Sequence, residues 1–246
     1  MKYILFDTNV YLALIFPLDT WKTIVEEPLE EVFDLIKKGE IKIVCPDFVF
    51  YEVNNRIDWT SEKFNEEFYQ IYNELKNLNG PFTKNNILYF RKVMEHRIFT
   101  IKDTKIRNRL YYIESLILKE IKENPKLQVV DVLTNCIELF NEINVRLVGE
   151  YANYNIKYEI DKINFPKNKE NDPEFIKILD EVKKSVNKEA DAKIISIFIY
   201  FIRENKAKGI VVTHDFEHLL LNSIALEAIF DDIFIVRPGY VKCLIN

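Results

Sequence analysis

Short apolar runs alternate with helical patterns near the amino end of the chain. Residues 3–6 and 41–45 are apolar runs of the length typical of buried parallel strands. Between them a helix is predicted from Pro28, as its first helical residue, to Gly39 as its end cap. A further helix is predicted over residues 48–57. Strand, helix, strand, helix is the beginning of a three-layer α/β domain.

The middle of the chain is predicted to be helical throughout, without a strand. Its apolar residues recur at helical spacing in three stripes. The stripes consist of Phe64, Phe68, Ile71, Leu75 and Leu78, then Ile106, Leu110, Ile113 and Ile117, and more loosely Leu133, Ile137, Phe140 and Leu147. Breaks at Gly80, at Pro125 and in the polar loop 164–173 predict four to five helices.

The α/β pattern returns near the carboxyl end. Residues 189–203 form a mostly apolar helical segment, and residues 209–213 and 233–236 are strand-like. The sequence therefore predicts one α/β domain with a central parallel sheet, built from two separate segments of the chain.

The predicted α/β domain comprises residues 1–60 and 186–246. The all-α segment 61–185 is predicted to be an insertion within it and a candidate RNA-binding module.

Composition excludes several classes of protein. The five glycines stand apart from one another, which excludes P-loop and glycine-rich dinucleotide sites. The three cysteines form no CxxC pair, so we expect neither a disulfide framework nor a zinc site. We therefore expect the protein to be located in the reducing cytoplasm. The longest apolar run, residues 194–202, is too short to cross a bilayer, and we expect no membrane partner.

Four carboxylates lie where an α/β domain gathers function. Asp7 and Asp215 each follow a predicted strand, and Glu52 and Asp191 lie near the starts of predicted helices. The carboxyl ends of parallel strands line the ligand crevice of such sheets. A cluster of carboxylate oxygens suits a hard cation such as Mg²⁺ or Mn²⁺.

Four short segments resemble a known family. FDTNV at residues 6–10 resembles the opening strand motif of PIN domains, and VVTHD at 211–215 resembles the family's late strand ending in T-x-D. FVFYEV at 48–53 and EADAKII at 189–195 are similar to the segments that carry the second and third acids.

This resemblance implies a metal-dependent endoribonuclease that hydrolyses RNA with Mg²⁺ or Mn²⁺. It implies Asp7 as the central metal ligand, Asp191 and Asp215 as further ligands, and Glu52 as a ligand directly or through water. Asn9 and Thr213 would orient these carboxylates by hydrogen bonds, and Glu189 and Glu217 could also contribute.

The separation of Glu52 from Asp191 departs from the family pattern. It spans 139 residues, far more than in minimal PIN domains such as the toxins of toxin–antitoxin pairs. Substrate selection is therefore expected to depend on the insertion. An antitoxin-like protein inhibitor and a homo-oligomer are both left open.

The insertion contains a basic stretch that could contact RNA phosphates. Glu95 and Asp103 are its only acids. The basic residues are Lys84, Arg91, Lys92, Arg97, Lys102, Lys105, Arg107 and Arg109. Tyr89, Phe90 and Phe99 could stack on unpaired bases or fill the helical core.

Other functions remain open beside a metal nuclease. Arg91 and His96 fit an R-x4-H pattern that resembles the metal-independent ribonuclease motif of HEPN domains. A PIN-like fold could also serve as a non-catalytic RNA-binding or scaffold protein. A haloacid-dehalogenase-like phosphatase is rejected, because Asn9 and Tyr11 stand where that family needs Asp and Thr or Val.

Overall fold

A computed structural model describes residues 2–15, 22–78, 80–126, 128–135, 138, 160–165 and 167–245. Contacts between residues divide the chain into two compact units. Unit 1 comprises Met1–Asn54 and Glu150–Asn246, and unit 2 comprises Asn55–Gly149. The α/β unit is thus made of two chain segments.

The centre of unit 1 is a parallel sheet. Its described strands are β1 (Lys2–Phe6), β2 (Ile41–Pro46), β3 (Asp161–Ile163), β4 (Lys208–Val212) and β5 (Ile233–Val236). They pair in the order β3-β2-β1-β4-β5, and every pairing is parallel. In β1, Ile4 lies opposite Ile43 on one side and Ile210 on the other. The predicted α/β class with a central parallel sheet is confirmed.

Helices flank this sheet and form unit 2. They are α1 (Thr8–Ile15), α2 (Lys22–Lys37), α3 (Asp47–Leu75), α4 (Lys84–Thr100), α5 (Thr104–Glu123), α6 (Pro173–Lys183), α7 (Glu189–Glu204), α8 (Ser223–Ile229) and α9 (Val241–Ile245). Short 3-10 turns cover Lys167–Asn171, Leu220–Asn222 and Pro238–Tyr240. Within unit 1, α2 packs on β2, α7 on β4 and α8 on β5. None of the described helices has the length and apolar content that a membrane crossing requires.

The packing of α7 on β4 is especially close at Gly209. A Cβ atom built at this position would lie 2.6 Å from Cε1 of Phe198 and 3.0 Å from Cδ1 of Ile202. Phe198 and Ile202 are completely buried. The glycine therefore sets how near the helix lies to the strand.

The structure contains one helix near the amino end that the sequence did not predict, and it corrects the start of another. Helix α1 has no counterpart among the predicted elements, because seven of its eight residues are buried and it lacks a polar face. Helix α2 begins at Lys22, so Pro28 lies inside it rather than at its first position.

The predicted boundaries of the insertion also differ from those of unit 2. The prediction that no strand interrupts residues 61–185 is wrong, because β3 pairs with β2, with Asp161 opposite Val44. The segment from β3 through α6 therefore belongs to the α/β unit. At the other boundary, α3 continues without a break through residue 60.

Unit 2 has its own apolar core. The predicted stripes that begin at Phe64 and Ile106 are buried in it, together with Phe90 and Met94 of α4. Leu133, in the helical residues 129–135, is buried in the same core. The later positions of that third stripe, Ile137, Phe140 and Leu147, lie outside the described residues.

Candidate functional site

The carboxyl ends of β1 and β4 form a topological switch point. From β1 the chain continues to β2 on one side, whereas β4 pairs with β1 on the other. Parallel sheets bind ligands in the crevice outside such a point. Asp7 follows β1, and its backbone nitrogen donates to the carbonyl of Val212, the last residue of β4, at 3.0 Å.

Both carboxylate oxygens of Asp7 accept hydrogen bonds. Oδ2 accepts from Nδ2 of Asn9 at 2.8 Å and from the hydroxyl of Thr213 at 2.7 Å. Oδ1 accepts from the backbone nitrogen of Thr8 at 2.7 Å. The hydrogen bonds expected of Asn9 and Thr213 are therefore present, and they fix the orientation of the Asp7 side chain.

Thr213 also connects Asp7 to Asp215. Its hydroxyl accepts a hydrogen bond from the backbone nitrogen of Asp215 at 2.9 Å, while its single proton is directed to Asp7. The backbone nitrogen of His214 donates to Oδ1 of Asn9 at 3.1 Å. Oδ1 of Asp215 in turn accepts from the backbone nitrogen of His218 at 2.9 Å. The loop after β4 is thus fixed to the end of β1.

Glu52 reaches the same sheet edge from α3. Its Oε2 accepts a hydrogen bond from the hydroxyl of Thr8 at 2.7 Å, and Thr8 is buried. Thr8 therefore contacts two of the predicted acids, through its backbone and its side chain. Sequence reasoning gave it no role, although it lies between Asp7 and Asn9 in the DTN motif.

Asp191, near the start of α7, is the least solvent-exposed of the four acids. It is 6% exposed, and its Oδ1 accepts from Nζ of Lys188 at 3.0 Å. Its Oδ2 is buried and has no hydrogen-bond partner among the described residues. Sequence reasoning missed Lys188, because a lone lysine at a helix start belongs to no motif.

The four carboxylates act on one another electrostatically. Burial raises the pKa of Asp7 to about 6, and repulsion from Asp191 and Glu52 adds to the rise, against the hydrogen bonds from Thr213 and Thr8. Burial also raises the pKa of Asp191, with Asp215 and Glu52 adding repulsion and Lys188 opposing it. Negative charge at this edge is therefore incompletely compensated within the chain.

The chemistry of these groups suits a hard divalent cation. All the donors are oxygens, their charges repel, and a buried oxygen of Asp191 has no partner among the residues that the structure describes. In the described part of the chain, however, no three Asp, Glu, His or Cys side chains are arranged to hold a metal ion. The acids lie as neighbours, with oxygens turned towards hydrogen-bond donors such as Thr8 and Lys188. Metal binding would require their oxygens to converge.

The structure does not bring Glu189 and Glu217 into these hydrogen bonds. The side chain of Glu189 is 87% exposed and pairs with Lys183 at 3.9 Å. Two residues along a helix project to different sides, which separates it from Asp191. Glu217 is exposed in the loop after β4. The expected positioning role is therefore not supported for either glutamate.

In unit 2, four of the eight basic residues predicted to contact RNA have exposed side chains that a phosphate backbone could reach. Lys84, Arg91, Lys92 and Lys102 are exposed. Arg107 is partly exposed and donates to the hydroxyl of Thr104 at 3.3 Å. The side chain of Lys105 lies outside those that the structure describes.

Two arginines of the stretch, Arg97 and Arg109, are engaged within unit 2 instead. Arg109 is only 7% exposed, and burial lowers its pKa to about 10. Its prediction as an RNA contact is wrong. The guanidinium of Arg97 is held by Glu74, at 3.0 Å from Nε, and by Gln70, at 2.6 Å from Nη1.

The aromatic residues of this region divide between core and surface. Phe90 is completely buried, whereas Phe99 is 88% exposed and Tyr89 is also exposed. The two residues of the R-x4-H pattern, Arg91 and His96, are exposed on α4.

No protein-family model, curated protein or solved structure matches the chain.

Proposed function

We propose that the chain is a metal-dependent endoribonuclease that hydrolyses RNA phosphodiester bonds at the edge of the unit 1 sheet. The observation that carries the proposal is the environment of Asp7. This carboxylate follows the central strand at a topological switch point, accepts three hydrogen bonds, and has Asp191 and Glu52 as repelling neighbours. Perturbed acids in such a crevice favour a functional role over a structural one.

The metal proposal follows from the donor chemistry. Asp7, Glu52, Asp191 and Asp215 would hold Mg²⁺ or Mn²⁺, which when bound activates water and stabilises charge on the phosphate. Asn9, Thr213 and the backbone of Thr8 hold Asp7 in a fixed orientation before any ligand arrives. Such fixed orientation lowers the reorganisation needed for catalysis.

Two observations support RNA as the substrate class. The FDTNV and VVTHD segments resemble those of PIN-domain ribonucleases. Unit 2 exposes Lys84, Arg91 and Lys92, which provide positive charge for a phosphate backbone, beside the exposed ring of Tyr89.

The proposal is tested with purified protein and an end-labelled single-stranded RNA. We expect internal cleavage with Mn²⁺ or Mg²⁺, loss of cleavage with EDTA, and loss in Asp7→Asn. Asp34→Asn is the matched control, because Asp34 is exposed and pairs with Lys37 at 3.1 Å. Cleavage that persists both in EDTA and in Asp7→Asn would disprove the metal-nuclease proposal.

The same experiment separates the alternatives. Cleavage that is insensitive to EDTA but disappears in His96→Ala would indicate the HEPN-like activity of Arg91 and His96. RNA binding without cleavage under any metal condition would indicate a binding or scaffold protein.

A further inference from the structure

A lysine side chain lies within the acidic cluster. Nζ of Lys188 is 3.0 Å from Oδ1 of Asp191, and its side chain is 48% exposed. The cation thus approaches the cluster from the solvent side and contacts a carboxylate that is almost completely buried.

The local backbone does not explain a lysine at this position. Lys188 is the N-cap residue of α7, and its side chain makes no capping hydrogen bond. A positive charge at a helix amino end is unfavourable, because the helix dipole is positive there. The carboxylates, rather than the helix, therefore account for the placement of this ammonium group.

The pair also differs from ordinary surface ion pairs of the same chain. Lys184 and Glu181 have the same spacing of three residues and lie 2.7 Å apart, but the side chain of Lys184 is 64% exposed and that of Glu181 34% exposed. Exposed pairs of that kind contribute little to stability. Asp191 is screened from water and feels the charge of Lys188 more strongly.

Other members of the cluster also attract Lys188. Partial burial alone lowers its pKa, yet the pKa is raised by Asp191 and, through longer-range attraction, by Glu52 and Asp7. The ammonium group therefore compensates negative charge at Asp191, which it contacts directly.

We propose that Lys188 is the resident counter-ion of the carboxylate cluster, occupying a cation position at Asp191 that it gives up when a divalent ion binds. The part concerning the divalent ion rests on the proposed metal centre. One oxygen of Asp191 is held by Lys188, and the other has no hydrogen-bond partner in the described part of the chain. An ammonium left beside a divalent ion would repel it, so Lys188 must leave Asp191 or weaken metal binding.

The experiment compares Mn²⁺ affinity by calorimetry in the wild type and Lys188→Met. Methionine keeps the length of the side chain and removes its charge. We expect the variant to bind Mn²⁺ roughly tenfold more tightly, because the competing cation is gone. Lys188→Arg keeps the charge and should retain nearly the wild-type affinity. Lys184→Met is the matched control and should leave the affinity unchanged.

A second measurement needs no metal. In EDTA, Lys188→Met should unfold at a lower temperature than the wild type, since the carboxylates lose their counter-ion. Addition of Mn²⁺ should raise its melting temperature by more than that of the wild type. Lys188→Gln replaces Lys188→Met if circular dichroism shows that the methionine variant is unfolded.

The possible failures are distinguishable. Equal or weaker Mn²⁺ binding by Lys188→Met overturns the role of Lys188 and leaves the metal nuclease intact. Absence of Mn²⁺ binding by both the wild type and the variant overturns the metal centre itself, and the inference with it.

Discussion

The hydroxyl of Thr213 donates to Oδ2 of Asp7 at 2.7 Å, although the two residues are 206 positions apart in the chain. Thr213 is completely buried. The same hydroxyl accepts a hydrogen bond from the backbone nitrogen of Asp215. It therefore both orients Asp7 and holds the backbone of Asp215. The residue thereby links two of the proposed metal ligands.

Thr213→Val tests this link. Valine has the same shape but lacks the hydroxyl, so Asp7 loses a donor and the nitrogen of Asp215 loses an acceptor. We expect the pKa of Asp7 to rise above its wild-type value of about 6. RNA cleavage with Mn²⁺ should fall about 10- to 100-fold, as for other groups that orient metal ligands.

Thr100→Val is the control for this substitution, because Thr100 is exposed and its hydroxyl donates to the carbonyl of Arg97 within its own helix. It should leave cleavage unchanged. Full activity of Thr213→Val would show that the hydrogen bond to Asp7 has no part in catalysis.

Asp191→Asn is expected to stabilise the metal-free protein at neutral pH. The raised pKa of Asp191 means that its ionised form is disfavoured in the folded state. The amide oxygen can still accept from Lys188, while repulsion from Asp215 and Glu52 disappears. The melting temperature in EDTA should rise by a few degrees while cleavage is lost, and Asp34→Asn should change neither. A decrease would mean that attraction to Lys188 outweighs the repulsion and burial.

The pKa of Asp7 also predicts a pH dependence of stability. Because the folded-state value of about 6 lies above the ordinary 3.8, the folded protein binds this proton more tightly than the unfolded chain. The stability that Asp7 contributes is complete below pH 3.8 and is lost as the pH rises through 6.

The difference in unfolding free energy between wild type and Asp7→Asn isolates this contribution, since asparagine does not titrate. Measured in EDTA, it should shift in favour of the variant between about pH 4 and 7 and then level off. A difference that does not change with pH would contradict the raised pKa.

Substitution of the exposed basic residues tests the RNA interaction. The substituted set is Lys84, Arg91, Lys92 and Lys102, all changed to Ala. Affinity for single-stranded RNA should fall, because fewer phosphates are neutralised. The slope of its logarithm against the logarithm of salt concentration should flatten by roughly 0.7 for each phosphate that the variant no longer neutralises.

The control removes the same amount of charge from other exposed lysines of unit 2. That set is Lys76, Lys119, Lys122 and Lys126. An equal loss of affinity in both quadruple variants would indicate an effect of net charge rather than a specific binding surface. Arg109→Met should leave RNA affinity unchanged, because Arg109 is buried.

Gly209→Ala should destabilise unit 1. The added methyl group would meet the buried ring of Phe198 at 2.6 Å, so helix or strand must shift. We expect a loss of about 1–3 kcal/mol, seen as a lower melting temperature and partly recovered in the double variant with Phe198→Leu. Gly239→Ala is the control, because no atom of the described residues lies within 4 Å of its added methyl group. Equal melting temperatures of the two alanine variants would contradict the close packing.

The sequence predicts those elements whose apolar residues follow a recognisable strand or helix pattern. The apolar runs that form β1 and β4 are predicted because parallel strands are covered on both faces. Helix α1 is not, since burial on all sides removes its periodicity. Strand β3 has three residues and only one of them, Ile163, is buried, which leaves too little pattern to recognise.

At the candidate site, prediction succeeds for residues that directly follow strands. Asp7 and Asp215 could be placed near each other because parallel strands end at a common edge, and the hydroxyl of Thr213 connects them. Lys188 could not, because its contact with Asp191 depends on how the side chain turns at the start of α7. Arg109 was misassigned because counting charges along the chain does not distinguish a buried guanidinium from an exposed one.

The pairing of β1 with β4 determines when the site can form during synthesis. Lys2 of β1 lies opposite Lys208 of β4. Strand β1 therefore cannot pair with β4 until more than 200 further residues have been synthesised. Asp7 precedes unit 2 along the chain, whereas Thr213 and Asp215 follow it. A nascent chain therefore contains no complete carboxylate cluster until β4 and the loop after it have been synthesised.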